Sequence, residues 1–283
     1  MKTFNFLVLF CGFLSLAAQP NTEVYLFDLD LSNKKQPLTN PVNVSSNVGY
    51  DNQPSFWPDG KSLIYARTVN GQTEIARYFI KKGKTKTITK TLQGSEYSPT
   101  PMPDGRISSI RLDTTGLQLL YAYDSKGKSE ILVPDLVIGY HAWIDEENLV
   151  SFVLGDTITM QMINTNTAKS QVIGKNIGRS LHKMPGKDSF SFVDKSIEPW
   201  TIRSMNPESG ETAKIAITPD GAEDYCWTPS GRIIMGNLDQ LSVWDNTYKV
   251  WMPLENLTQF GLSGITRISV SPRGDKIAIV VNQ

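Results

Sequence analysis

One short segment, an apolar or aromatic residue running into a proline turn, returns six times along this chain. The copies are Phe56-Trp57-Pro58-Asp59-Gly60-Lys61, Met102-Pro103-Asp104-Gly105-Arg106, Trp143-Ile144-Asp145-Glu146-Glu147, Met184-Pro185-Gly186-Lys187, Trp227-Thr228-Pro229-Ser230-Gly231-Arg232 and Val270-Ser271-Pro272-Arg273-Gly274-Asp275-Lys276. With Asp145 standing in for proline in the degraded third copy, the anchors fall at 58, 103, 145, 185, 229 and 272, in steps of 45, 42, 40, 44 and 43 residues. A period near forty with one turn signature per repeat marks a propeller blade, a unit too small to bury its own faces.

The turn chemistry fits a tight connection between antiparallel strands. Proline presets φ at the first turn position, aspartate bonds back to the backbone, and glycine accepts positive φ. An apolar run follows each turn, as in Leu63-Ile64-Tyr65-Ala66 or Ile233-Ile234-Met235. A third and a fourth run complete each repeat, separated by polar turns such as Lys81-Lys82-Gly83-Lys84. The ends are complementary. Val24 to Asp28 reads as a third strand and Gln36 to Thr39 as a fourth, with none before them; the last repeat supplies a first strand to Val270 and a second at Ile277 to Val281. The expected fold is all-β: a six-bladed propeller of four antiparallel strands per blade, its last blade closed by both termini. Closure removes the open sheet edges of an unclosed array.

Of 283 residues, 28 are basic and 28 acidic, with no dominant basic stripe, which argues against nucleic acid as a partner. The lysines between Lys81 and Lys90 read as a solvated hairpin. Residues 1–18 stand apart: Lys2, an apolar stretch from Phe4 to Leu16, then Ala17-Ala18, the pattern of a secretory signal peptide and too short to span a bilayer. Residues 19–283 form a single domain in this reading. Cys11 lies within the signal, behind Phe10 where a lipoprotein would carry a small residue, so Cys226 is left as a lone, buried thiol.

No nucleophile elbow, phosphate loop or zinc-binding helix motif is present, and neither a cofactor nor a metal is implied. Asp28-Leu29-Asp30-Leu31-Ser32 imitates the start of a calcium loop but lacks its glycine and its bidentate glutamate. The two histidines, His141 and His182, precede their anchors in neighbouring repeats, which is compatible with a shared pair or with two hydrogen-bonded structural residues. The stronger signal is the entry to each first strand. Each opens on glycine (Gly49, Gly94, Gly139, Gly178, Gly221, Gly264) and continues in polar and aromatic residues. In a propeller the first strand is innermost, so these entries are expected to meet at the mouth of the central channel. The candidate ligand- or partner-binding residues are Asp51, Asn52, Glu96, Tyr97, Tyr140, His141, Arg179, Glu223, Asp224 and Arg267. Lying at strand entrances, they are expected to be separable from stability. On the sequence alone they could equally line a wet channel.

The stretch from Gln53 to Ala66 resembles the WD40-like Pro-Asp repeat of TolB-type propellers, and Glu23 to Asp28 resembles their third strand; the resemblance covers residues 22–283. It implies a six-bladed propeller exported to the bacterial periplasm or beyond, here without the α/β domain that TolB carries ahead of its propeller. Two functions follow as expectations. One is a non-catalytic binding or scaffold protein that takes a protein, peptide or small molecule of the cell envelope at the channel mouth, with no integral membrane segment. The alternative is a propeller hydrolase or lyase acting on a small sugar, lactone or peptide, with Glu96, Glu223 or Asp224 as acid or base and Arg179 or Arg267 as anion clamp.

Overall fold

The computed structural model describes residues 19–283; the signal-peptide reading of residues 1–18, Cys11 included, falls outside them. Six four-stranded antiparallel sheets follow one another around a ring. Blades one to five occupy residues 52–87, 94–133, 138–175, 177–217 and 225–256. The sixth takes its first two strands from Ser263–Val270 and Lys276–Asn282 and its last two from Thr22–Leu29 and Leu38–Asn43. Thr22–Leu29 pairs with Lys276–Asn282 from Thr22↔Asn282 to Asp28↔Lys276, so the termini share one blade as the strand count predicts.

The ring is held by six apolar interfaces, one between each pair of neighbouring blades. This explains why the second strands do not alternate apolar with exposed polar residues: both faces of each sheet meet a neighbour, and the serines that interrupt three of the runs, Ser108, Ser109, Ser151 and Ser191, are themselves fully buried. Ile277, Ala278, Ile279 and Val280 are all 0% exposed. Ile277 and Ile279 face the fifth blade's Ile234 and Leu241, whereas Ala278 and Val280 face the first blade's Leu63 and Tyr65.

The repeat signature has two structural jobs. Its turn behaves as its chemistry requires: Asp59 Oδ1 accepts the Lys61 N–H at 2.8 Å while Gly60 adopts φ +69°. In the degraded copy Asp145 does the capping alone, accepting the Glu147 and Asn148 N–H groups at 2.8 Å each. The aromatic ahead of the turn can latch blades together. Trp143 Nε1 donates to Ser108 Oγ of the preceding blade at 2.9 Å, and Trp227 Nε1 repeats this with Ser191 at 2.8 Å. Each such bond is worth about 1 kcal/mol net, and losing its acceptor would leave a partly buried indole N–H without its partner.

The fourth strand of the closing blade begins later than its expected start at Gln36. Asn33 Oδ1 binds the Lys35 and Gln36 N–H groups, which bends residues 33–37 into a turn before Leu38–Asn43. The imitation calcium loop is likewise a strand end: Asp28 pairs with Lys276, and Asp30 caps Ser32 at 2.9 Å. Cys226 is 4% exposed, and burial pushes its thiol upward.

Candidate binding site at the channel mouth

The first strands line a central channel of about 790 Å³. Five of them are bulged against their second strands, between Asn52/Ser55, Tyr97/Thr100, Ile138/Tyr140, Ile177/Leu181 and Ile265/Arg267 among other places. A bulge re-aims the side chains around it. In the first two blades the bulge holds Gln53 and Ser98 at φ +55° and +50°, each directly before a proline, and Gln53 Oε1 accepts the Ser98 N–H at 2.7 Å. Left-handed backbone at a residue preceding proline is unfavourable and persists only where surrounding structure enforces it.

At the mouth, residues from every blade meet. Asp224 is the hub. Arg179 grips it with both arms of the guanidinium (Nε to Oδ1 3.1 Å, Nη2 to Oδ2 2.6 Å), and Arg267 Nη1 donates to Oδ1 at 3.1 Å. Arg267 Nη2 then reaches Tyr140 OH at 3.2 Å. Arg267 belongs to the sixth blade and Tyr140 to the third, which stand opposite each other in a six-membered ring, so this pair spans the mouth. Tyr50 and Tyr97 pack edge to face at 6.0 Å beside them, and Gln19 Nε2 donates to Tyr97 OH at 2.8 Å. Burial pushes Tyr50 upward, against the opposing fields of Arg267 and Arg179. Glu223 lies on the flank, accepting the Arg179 N–H at 3.0 Å and pairing with Lys195 at 3.4 Å.

Six of the ten sequence candidates therefore gather at the mouth: Tyr97, Tyr140, Arg179, Glu223, Asp224 and Arg267. His141 lines the channel wall, its Nε2 2.7 Å from Ser108 Oγ and its Nδ1 without a partner; His182 in the next blade also lines the wall, with Nε2 unpartnered and its ring edge-on to Tyr225 at 4.8 Å. Asp51, Asn52 and Glu96 are not at the mouth surface. All three are buried, at 0%, 3% and 0% exposure. Asn52 donates to Thr22 Oγ1, and Asn47 donates to Asp51 at 3.0 Å. Glu96 accepts from Thr91 at 2.6 Å and from Tyr123 at 3.0 Å. Their side chains turn toward neighbouring segments, which a list of polar residues does not reveal. Both arginines hold a carboxylate that is only 10% exposed, so binding and stability are expected to be coupled at these two positions. Reading by residue type passed over Gln53, Ser98 and Lys195. The first two had a signal, a polar residue before proline 45 positions apart, and Lys195 had none.

The buried ionisable groups make a prediction. Burial raises Asp51 to about 6 and, beside Glu74, raises Glu96 to about 7. Each folded carboxyl keeps a proton that the unfolded chain releases from its ordinary range upward, so each costs stability as pH rises through that window. Burial lowers His141 and His182 to about 4. The unfolded imidazoles take up protons below their ordinary value of 6.5, so this pair costs stability as pH falls from there toward 4. Near pH 5 the two pairs oppose each other, and the native protein should have a shallow stability profile. Glu96→Gln removes one compensating proton, and its stability should climb with pH by about 1.4 kcal/mol per unit between roughly pH 4.5 and 6. Urea midpoints across that range check this; parallel profiles for the two proteins would contradict it.

Among the described residues no group of three or more His, Cys, Asp and Glu side chains is gathered as a metal site. No helix among them is long and apolar enough to cross a membrane. No protein-family profile matches the chain, and no curated protein matches it in sequence. Its fold is nonetheless shared with solved structures. A protein assigned as TolB from Agrobacterium tumefaciens superposes with a TM-score of 0.74 at 13% identity, over 94% of this chain and 99% of that one. A gluconolactonase from Xanthomonas campestris gives 0.65 at 10% identity, over 94% and 97%. An oligogalacturonate lyase in complex with manganese gives 0.60 at 14% identity, over 90% and 82%. At these identities the likeness establishes the six-bladed propeller fold and leaves activity open.

Proposed function

We propose that this protein is an exported, non-catalytic binding protein of the bacterial envelope that captures an acidic group of a protein or peptide partner at the channel mouth. One observation carries the reading: Arg267 is held across the mouth by the neutral hydroxyl of Tyr140 at 3.2 Å, a contact that a carboxylate can replace to advantage. Tyrosine and arginine at the centre of a concavity are the residue types that most often dominate binding. The candidate acids and bases are otherwise committed. Glu223 and Asp224 are engaged by Lys195, Arg179 and Arg267, and Glu96 is enclosed between blades. The apolar segment ending at Ala17-Ala18 supports export.

A second reading, a hydrolase or lyase acting on a small sugar or lactone, is favoured by the placement of His141 and His182, from neighbouring blades, on the channel wall. One experiment separates the two. Immobilised protein is incubated with a solubilised envelope fraction, and the same protein is assayed for lactone opening and uronide cleavage. Capture should be lost in Tyr97→Ala/Arg267→Lys, where the lysine keeps its charge toward Asp224 but loses the planar fork. It should survive in the outer-hairpin control Lys82→Ala/Lys126→Ala. Equal loss in the control would move the site to the blade edges. Saturable turnover that disappears in His141→Gln would establish the enzyme instead.

A further inference from the structure

A second cleft, of about 480 Å³, lies between the fourth and fifth blades at the end of the ring where the proline turns sit. Trp227 and Trp244 contribute to its wall, and four cations border it: Lys187 and Lys214 from the fourth blade, Arg232 and Lys249 from the fifth. Asp245 is the single acid on its lining, and that carboxylate accepts the Thr247 and Tyr248 N–H groups at 2.8 and 3.0 Å. Among the described residues none of the four cations enters an ion pair. Among the described residues the indole Nε1 of Trp244 is enclosed without a partner.

The repeat itself supplies the comparison that makes this arrangement unusual. Strand pairing places Arg106, Arg232 and Lys276 at one position in three blades, each just ahead of Ile107, Ile233 or Ile277. Arg106 is neutralised by Asp104 and Glu130, and Lys276 by Asp28. Around Arg232 both carboxylates of the second blade are replaced: Ser230 stands where Asp104 is, and Met252 where Glu130 is. Asp245 stands opposite Arg232 as Asp28 stands opposite Lys276, and the Tyr248 and Thr247 N–H groups, helped by Arg232, draw its carboxyl downward, but no ion pair closes between Asp245 and Arg232, and this one carboxylate is set against Arg232 and three lysines.

We propose that this inter-blade cleft is a binding site for a small organic polyanion of about sugar size, carrying two or more phosphate or carboxylate groups. Arg232 offers the planar fork that fits either acid, and the lysines supply further charge. The indoles give the ring of such a ligand an apolar wall. The volume is within the range of small-molecule sites.

The test titrates the full chain with inositol hexakisphosphate, citrate and neutral myo-inositol, followed by calorimetry and tryptophan fluorescence. At least one anionic probe should bind saturably and more weakly as salt is raised, and myo-inositol should not bind. Which anion is preferred assigns phosphate or carboxylate. Ser230→Asp/Met252→Glu installs the second blade's carboxylates at two exposed positions. It should leave the melting temperature unchanged and weaken the anion about tenfold or more. Arg267→Lys at the channel mouth should leave this binding intact. No saturable anion binding, equal binding of myo-inositol, unchanged affinity in Ser230→Asp/Met252→Glu, or loss of binding in Arg267→Lys would each overturn the assignment.

Discussion

Protein lacking residues 20–43 is expected to lose cooperative unfolding and to aggregate. Those residues carry the strands Thr22–Leu29 and Leu38–Asn43, half of the closing blade. Their removal strips Val24, Leu26, Phe27, Leu29 and Leu38 from two of the six inter-blade cores at once. It also leaves Lys276–Asn282 as an unpaired edge, with five consecutive residues, Ile277 to Val281, that are at most 1% exposed in the closed ring. An apolar open edge is a template for pairing with another chain. A synthetic peptide of residues 20–43 added during refolding should restore a monomer. The milder variant Phe27→Ala removes one ring that is 0% exposed and packed edge-on against Phe260 at 5.1 Å, at an expected cost of about 4 kcal/mol. Size-exclusion chromatography and urea unfolding read both. A truncated protein that stayed monomeric with the native melting temperature would show that the shared blade does not hold the ring.

The second large effect is expected from Asp224→Asn. The change keeps size and shape while removing the charge that two guanidinium groups share. Asp224 and Arg267 side chains are 10% and 17% exposed, so neither is well placed to regain hydration. Breaking a pair of this kind leaves uncompensated charge in poorly solvated surroundings, typically about 3–5 kcal/mol when fully buried. Arg179, at 32% side-chain exposure, keeps more water, so the lower end, about 3 kcal/mol, is expected here. The two arginines would also face each other with only Glu223, 3.5 Å from Arg179 Nε, to balance them, and Arg267 would lose the anchor that aims it at Tyr140. Urea midpoints give the stability change, and the capture assay should show parallel loss of the mouth. A midpoint equal to the native protein's would mean that Asp224 is not the hub.

The sequence by itself determined the architecture. Local chemistry repeats with the blade: Pro58-Asp59-Gly60 must turn, Leu63 to Ala66 must be covered on both faces, and an unpaired half-blade at each end has one economical partner. Such constraints are short-range and recur six times, so a degraded copy such as Trp143 to Glu147 is still placed by its neighbours. It also determined that polar first-strand entries meet, because ring geometry gives them no other place. Tertiary structure decided which of those side chains face the mouth. Asp51, Glu96 and Asp224 are all acidic residues at first-strand entries, yet the first two are buried among neighbouring segments and Asp224 meets Arg179 and Arg267. A one-residue change of register reverses the face of a strand residue, and residue type does not record register. The reach of Arg267 across the ring to Tyr140, 127 positions away in the chain, likewise exists only once the termini have closed the sixth blade. So does the imbalance of the inter-blade cleft, where Asp245 alone is set against Arg232 and three lysines because no counterpart of Asp104 or Glu130 arrives there.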